Sequence, residues 1–141
     1  MVHQVIYSSR AADGIGADSL QAILDAARVN NAALGVTGAL IYYDGLFLQI
    51  LEGPKGAVES LAARIADDPR HSDMTIFHTA DIDGRVFGDW QMAWLDPAPG
   101  DIARWADLET ASLADLRADI ERHPDRVPGI LQAILAALPA D

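Results

Sequence analysis

A single amide side chain interrupts an otherwise apolar stretch in this chain of 141 residues. Gln49 stands in the segment Leu-Phe-Leu-Gln-Ile-Leu of residues 46–51, and alternation along a β-strand places it on one face with Phe47 and Leu51. A buried amide without a hydrogen-bond partner costs about 1–3 kcal/mol, so Gln49 requires a polar partner. That partner is either another group of the core or the polar edge of a ligand.

Three further polar side chains stand among apolar neighbours. Tyr7 lies in the middle of a first predicted strand, and Asn30 and Asn31 end the apolar face of a first predicted helix. Taken singly, a core tyrosine with a satisfied hydroxyl and an asparagine that caps the helix C-terminus are the simpler interpretations. Because one cap needs only one asparagine, the pair leaves one amide for another role. With Gln49, these groups describe a phenol and amides around a flat, polar-edged ligand.

A charged cluster follows the second predicted helix. Arg64 and Asp68 stand four residues apart, and Arg70 and His71 come soon after them. An ion pair at the helix end, worth about 0.2–0.5 kcal/mol, is one interpretation of this cluster. A rim that holds a polar ligand is the other.

Composition and missing motifs exclude several classes of protein. Glycine-rich nucleotide loops, a serine nucleophile elbow and metal-binding histidine spacings are missing, and the chain has no cysteine. The net charge of −11 argues against binding to nucleic acid or to an anionic membrane. No signal peptide opens the chain, and no apolar segment reaches the roughly 18 residues that span a bilayer, so a cytoplasmic protein is expected.

The spacing of apolar residues predicts elements in the order βαββαββ. Strands are expected at about 2–9, on both sides of a type I′ turn at Asp44-Gly45, at 74–81 and at 90–94, with helices at 18–31 and 54–67. In the last strand Trp90 and Met92 point to one side, for which core packing is the simplest interpretation. The order indicates an α+β, ferredoxin-like sandwich with a five-stranded mixed sheet and two helices on one face.

A linker rich in proline leads from this sandwich into a helical tail. Helices are expected at about 101–108, 112–122 and 127–138. Because the second hairpin strand is apolar on both faces, it must be covered on both, and the C-terminal helices are expected to cap the other face. The chain therefore divides into a ligand-binding domain, residues 1–95, and a helical cap, residues 96–141. The apolar stripe of the cap is alternatively an interface for a partner or a second copy.

Six motifs in this chain resemble those of one known family. They are Ile-Tyr-Ser-Ser, Ala-Arg-x-Asn-Asn, Gly-x-Thr-Gly-Ala-Leu, Gly-x-Phe-x-Gln-x-Leu-Glu-Gly, Asp-x-Arg-His and Phe-x-x-Trp-x-Met, within residues 2–94. This pattern resembles the BLUF family, blue-light sensors that use FAD. The resemblance implies a flavin bound without a covalent bond, with its ring between the two helices. FAD is expected, and FMN and riboflavin remain open.

The resemblance also implies roles for individual residues. Tyr7 is similar to the family's photochemical electron and proton donor, Gln49 to the amide that bridges this tyrosine to the flavin, and Asn31 to a residue at the ring's polar edge. Trp90 and Met92 match positions that carry the signal by exchanging places near the glutamine. The other implied flavin contacts are Ile23, Ala27, Asn30, Phe47, Arg64, Ile65, Asp68, Arg70 and His71.

The implied function is that of a blue-light photoreceptor and not of an enzyme. Light-driven electron and proton transfer from Tyr7 would rearrange the hydrogen bonds of Gln49, and a neighbouring strand would pass the change on. Like short members of the family, the protein is expected to act on a separate effector protein and to form a homo-oligomer. A flavin-dependent redox enzyme and a colourless ferredoxin-like interaction module are the alternatives.

Overall fold

A five-stranded sheet is the framework of the protein. The computed structural model describes residues 2–12, 17–43, 45–68, 71–88, 92–95 and 113–137. The strands are β1 (Val2–Ala11), β2 (Thr37–Tyr43), β3 (Leu46–Gly53), β4 (His71–Ile82) and β5 (Ala93–Leu95). The described helices are α1 (Ala17–Leu34), α2 (Lys55–Ala66), α3 (Leu113–Arg122) and α4 (Val127–Ala137), with a 3-10 turn, Pro124–Arg126, before α4. The helix expected at 101–108 lies outside the described residues.

The strand order of the sheet is β4-β1-β3-β2-β5. β1 pairs antiparallel with β3 and β4, β2 pairs antiparallel with β3, and β5 pairs parallel with β2. The sheet is therefore mixed, and the predicted α+β architecture is confirmed. The inner strands β1 and β3 carry Tyr7 and Gln49.

Each face of the sheet has its own apolar core. On the face covered by α1 and α2, which we call the cavity face, the buried residues are Val5, Tyr7, Leu24, Val36, Leu40, Phe47, Leu51, Val58, Leu61 and Met92. On the opposite face, which we call the cap face, α3 and α4 pack on Ile6, Ala39, Ile41, Leu48, Ile50, Phe87 and Ala93. The tail thus covers the second face of the hairpin strand, as predicted.

The β2–β3 hairpin has the predicted two-residue connection. Tyr43 pairs with Leu46 across it, and Gly45 has the positive φ, 76°, that the predicted turn requires. Asp44 lies outside the described residues. Side chains of β3 are buried from Phe47 onward, which fits a strand covered on both faces.

Helix α1 continues past its predicted end and is capped by its backbone. Gly35 follows Leu34 with φ 69°, and the Val36 N–H donates to the Asn31 carbonyl at 2.9 Å. This bond and the left-handed glycine form a Schellman ending. The interpretation of Asn30 or Asn31 as a C-terminal cap is therefore wrong, because both stand inside the helix.

Strand β4 begins earlier than predicted, and its pairing with β1 is irregular at two places. The register shifts between Ile6 and Tyr7 and again between Ser8 and Arg10. Near the second shift, Asp73 has a φ of 56°. Such bulges bend a strand and change the direction of nearby side chains. Tyr7 thus occupies a short stretch of β1 between two irregularities.

Candidate functional site

A cavity of about 270 Å³ lies between α1, α2 and the sheet. It is lined by Tyr7, Ile23, Ala27, Asn30, Asn31, Leu40, Phe47, Gln49, Leu61, Arg64, Ile65, Asp68 and His71. On each helix these residues recur at spacings of three and four, which share one helix face. Every flavin contact implied by the sequence lines this cavity, except Arg70, which lies outside the described residues.

Tyr7 and Gln49 form the polar centre of the cavity. They stand directly opposite each other in the β1–β3 ladder, so their side chains leave the sheet on the same face. The Tyr7 hydroxyl donates a hydrogen bond to the Gln49 side-chain carbonyl oxygen, and each residue is only 3% exposed. The phenol is therefore one partner of the amide that interrupts β3.

The nitrogen of the same amide contacts a thioether. Gln49 Nε2 lies 3.4 Å from the Met92 sulfur, and Met92 is buried just before β5. Arg28 on α1 donates from Nε to the Met92 carbonyl at 3.2 Å. A thioether accepts hydrogen bonds weakly and donates none, so its contact with the amide nitrogen has a preferred direction. Trp90, the other expected signalling residue, lies outside the described residues.

The environment of Tyr7 keeps its hydroxyl protonated. Burial raises the pKa of the phenol above its ordinary range, and the negative charge of Asp68 raises this pKa further. Ionisation would place a phenolate in the apolar interior near that carboxylate. At neutral pH the side chain is therefore a neutral hydrogen-bond donor.

The two asparagines of α1 differ in burial. Asn31 is almost completely buried, whereas Asn30 is half-buried, and both line the cavity beyond Ala27. The helix ending is formed by the backbone bond from the Val36 N–H to the Asn31 carbonyl. The α1 wall of the cavity therefore ends in amide groups that can recognise a polar edge.

The residues at the end of α2 form a charged mouth of the cavity. Arg64 is exposed, and Asp68 and His71 are half-buried. A ring nitrogen of His71, which is the first residue of β4, contacts the Ile65 carbonyl. The predicted cluster at the helix end therefore extends from α2 into the neighbouring strand, and its mixed charges suit a polar ligand tail.

Two lining residues were missed from the sequence. Leu40 on β2 and Leu61 on α2 both border the cavity. Each stands at a regular core position of its element, so its residue type looks the same whether it borders a ligand or another side chain. Cross-strand register could have identified Leu40, which stands opposite Gln49 in the β2–β3 pair.

The lining fits a flat heteroaromatic ring. Ile23 and Ala27 on α1 and Ile65 on α2 provide apolar side chains from two helices, as the faces of such a ring require. Gln49 and Asn31 supply amide groups that match an edge with both carbonyl and N–H groups. The donor set and the apolar walls therefore suit a flavin.

Two other kinds of site were sought in the described part of the chain. Its residues include no group of three or more His, Cys, Asp or Glu that could hold a metal ion. None of the helices described above is long and apolar enough to cross a membrane.

Comparisons with known proteins identify relatives of this chain. Residues 2–93 match the family model described as sensors of blue-light using FAD. The β subunit of the photoactivated adenylate cyclase of Euglena gracilis is 42% identical over 87 residues, which are 61% of this chain and 10% of that protein. This chain thus spans about a tenth of the length of that relative.

Two solved structures are similar over almost the whole chain. The photo-activated state of BlsA has a TM-score of 0.82 at 25% identity and covers 100% of this chain and 99% of its own. The dark state of BlrB, a BLUF protein, has a TM-score of 0.77 at 29% identity, with 97% of each chain covered. The similarity therefore includes the helical cap as well as the sheet.

Proposed function

We propose a photochemical function, because this chain belongs to the BLUF family of blue-light sensors that use FAD. In it, Tyr7 and Gln49 convert light absorbed by a bound flavin into a changed hydrogen bond. One observation carries the proposal: the buried hydrogen-bonded series from the Tyr7 hydroxyl through the Gln49 amide to the Met92 sulfur. This series connects a redox-active phenol to the segment before β5. The cavity that holds it also has the apolar walls that a flavin ring needs.

The bound flavin supplies blue-light absorption and, when excited, the oxidising power that draws an electron from a phenol. Tyr7 gives up this electron and its hydroxyl proton, for which the Gln49 carbonyl oxygen is the acceptor already in place. Return of the electron and proton restores the phenol. No substrate is consumed, so the lasting change is in the orientation or tautomer of the amide between Tyr7 and Met92.

The contact with Met92 makes the two orientations of the Gln49 amide unequal in energy. In the present arrangement the amide nitrogen faces the thioether, which can accept its N–H. A rotation of the amide would place the carbonyl oxygen against the sulfur, which has no hydrogen to donate. The contact would become unfavourable, and the segment that carries Met92 would be displaced from Gln49. The side chain thus distinguishes the two orientations of the amide.

We further propose that this displacement acts on a separate effector protein, with the cap helices or a second copy of the chain as the surface that transmits it. The Euglena relative supports this role, because its name joins light activation to a cyclase. Its far greater length leaves room for an effector within the same polypeptide. The roles of the remaining lining residues as flavin contacts belong to the same proposal.

An absorption spectrum before and after blue light tests the proposed function. We expect an oxidised-flavin spectrum that shifts to the red under illumination and recovers in the dark. Bleaching driven by NADH would instead indicate a redox enzyme. A colourless protein that does not take up added FAD would contradict both functions.

The variant Gln49→Leu tests the role of the amide. It should bind flavin and show no red shift, because leucine neither accepts the Tyr7 proton nor reorients. Tyr7→Phe should lose the shift as well, since it removes the electron and proton donor. Gln4→Leu is the matched control: it replaces an equally buried glutamine whose amide bonds to Glu52 and not to Tyr7. A normal photocycle in Gln49→Leu would contradict the mechanism.

A further inference from the structure

The side chain of Glu52 is a fully buried carboxylate outside the cavity. It is 0% exposed and, three residues after Gln49 on β3, lies on the opposite face of the sheet. Three N–H groups bond to it: Gln4 Nε2 at 2.9 Å and the Val86 amide at 3.0 Å to one oxygen, and the Phe87 amide at 2.7 Å to the other. Charge-assisted bonds of this kind are stronger than neutral ones.

Residues 85–87, which follow β4, are also attached to the sheet through Arg85. Arg85 donates to the Glu52 carbonyl at 3.3 Å, to the Gly35 carbonyl at 2.7 Å and to the Thr37 hydroxyl at 3.0 Å. It thereby joins the connection after β4 to β3 and to the end of α1. Side chain and backbone of Glu52 thus both hold residues 85–87 in place.

Phe87 and Met92, which both stand between β4 and β5 in the sequence, have their side chains in different cores. Phe87 is completely buried on the cap face, in the same core as residues of α3 and α4. Met92 is buried on the cavity face, where it contacts Gln49. Phe87, whose amide bonds to Glu52, and Met92, which contacts Gln49, thus belong to the cores on opposite faces of the sheet.

We propose that Glu52 is a positioning residue that fixes the Val86–Phe87 backbone and so couples the Gln49–Met92 contact to the cap helices. The coupling rests on the proposed function, whereas the fixing of the backbone does not. When Met92 leaves Gln49, a backbone held at Phe87 transmits the movement to the core beneath α3. A backbone that is not held there absorbs it.

Glu52→Gln is a sharp test of this role. The substitution preserves size, but its NH₂ group faces N–H donors, so the site loses at least one bond and gains a donor without an acceptor. The matched control is Asp119→Asn, which alters a carboxylate that is 3% exposed and is held by Arg126 at 2.8 and 2.9 Å within the cap. Both variants remove one buried negative charge by the smallest change.

The first measurement is hydrogen exchange of the Val86 and Phe87 amides in the dark, in the flavin-loaded protein. Glu52→Gln should accelerate both by about tenfold or more, whereas Asp119→Asn should leave them unchanged. Glu52→Asp, which keeps the charge on a shorter side chain, should give an intermediate rate and provides the comparison if Glu52→Gln does not fold. Unchanged exchange in the Glu52 variants would overturn the proposal.

The second measurement is the difference in hydrogen exchange between illuminated and dark protein in α3. We expect a light-induced change in the wild type that is lost in Glu52→Gln, although the red shift of the flavin persists. No light-induced change in wild-type α3, or a change that persists in full in Glu52→Gln, would overturn the coupling. If the wild type shows no red shift, the proposed function fails, and the dark measurement still decides whether Glu52 positions the backbone.

Discussion

The two faces of the sheet are built from the same strands, but one encloses a cavity with polar groups and the other an apolar core with buried carboxylates. The cavity face keeps an open volume of about 270 Å³ beside a phenol, amides and a thioether. The cap face has a core of aliphatic and aromatic side chains, and its own cavity, of about 340 Å³, lies beside α3 and away from Phe87 and Met92. Its buried carboxylates, Glu52 and Asp119, are each held by several donors or by an arginine. Alternation along β3 assigns Gln49 to one face and Glu52 to the other.

This difference indicates a division of tasks. An amide that can reorient needs space and weak partners, and Gln49 has a cavity and a thioether. A structure that passes on a movement needs close packing and fixed hydrogen bonds, because loosely packed groups absorb displacements. Neighbouring residues of one strand can meet both demands, since each side chain belongs to only one face.

The largest difference is expected when an aromatic ring is removed from each face. Phe87→Ala should lower the free energy of unfolding by about 3–5 kcal/mol, because a completely buried ring leaves a void. Phe47→Ala should cost at least about 1 kcal/mol less, because Phe47 already borders the cavity. Urea unfolding with the flavin removed measures both, since bound ligand would add its own stabilisation. Equal costs would contradict the contrast between the faces.

A smaller difference in stability is expected when an alanine is replaced by leucine on each face. Ala39→Leu should destabilise the protein by about 1–3 kcal/mol, because Ala39 is 0% exposed within the cap-face core. Ala27→Leu extends into the cavity, so it should change stability by less than about 0.5 kcal/mol and weaken FAD binding by tenfold or more. Flavin titration and urea unfolding separate these effects. Unaltered FAD affinity in Ala27→Leu would indicate that the ring binds elsewhere.

The smallest effect on the free energy of unfolding is expected from alkaline pH, and it should arise from Tyr7 on the cavity face. Burial raises the pKa of Tyr7, so above pH 10 or so the unfolded chain releases a proton that the folded chain keeps. The free energy of unfolding should then fall by up to about 1.4 kcal/mol per pH unit, with no effect of this group below that range. Urea unfolding between pH 9 and pH 11, compared with Tyr7→Phe, isolates the contribution. Parallel pH profiles for the two proteins would contradict it.

Much of the site could be predicted because its signals are local. The lone amide in β3 required a polar partner, and strand alternation predicted its face. The family motifs then implied a flavin as the ligand and a donor role for Tyr7, and the structure places Tyr7 directly opposite Gln49. Amphipathic spacing likewise predicted the helices that provide Ile23, Ala27 and Ile65, although helix ends were less certain. α1 passes Asn31 because Gly35, and not an asparagine, ends it.

What remained hidden depends on contacts between segments distant in sequence. Glu52 appeared only as part of a motif, because no local pattern relates it to the amides of Val86 and Phe87. A buried acid in an apolar strand is nevertheless a signal of the same kind as Gln49, since it also requires partners. The contact between the Gln49 nitrogen and the Met92 sulfur depends on the parallel pairing of β5, which periodicity does not specify.

The shortness of β5 determines where local unfolding of the sheet begins. Among the described residues, β5 has 3 residues and pairs with β2, whereas β4, at the other edge, has 12 residues. At about 0.5–1.5 kcal/mol for each net hydrogen bond, detaching so short a strand costs only a few kcal/mol. We therefore expect this edge to open more often than the inner strands of the sheet. The signalling state can thus be a conformation that the dark protein already visits briefly, and light changes how long the strand remains there.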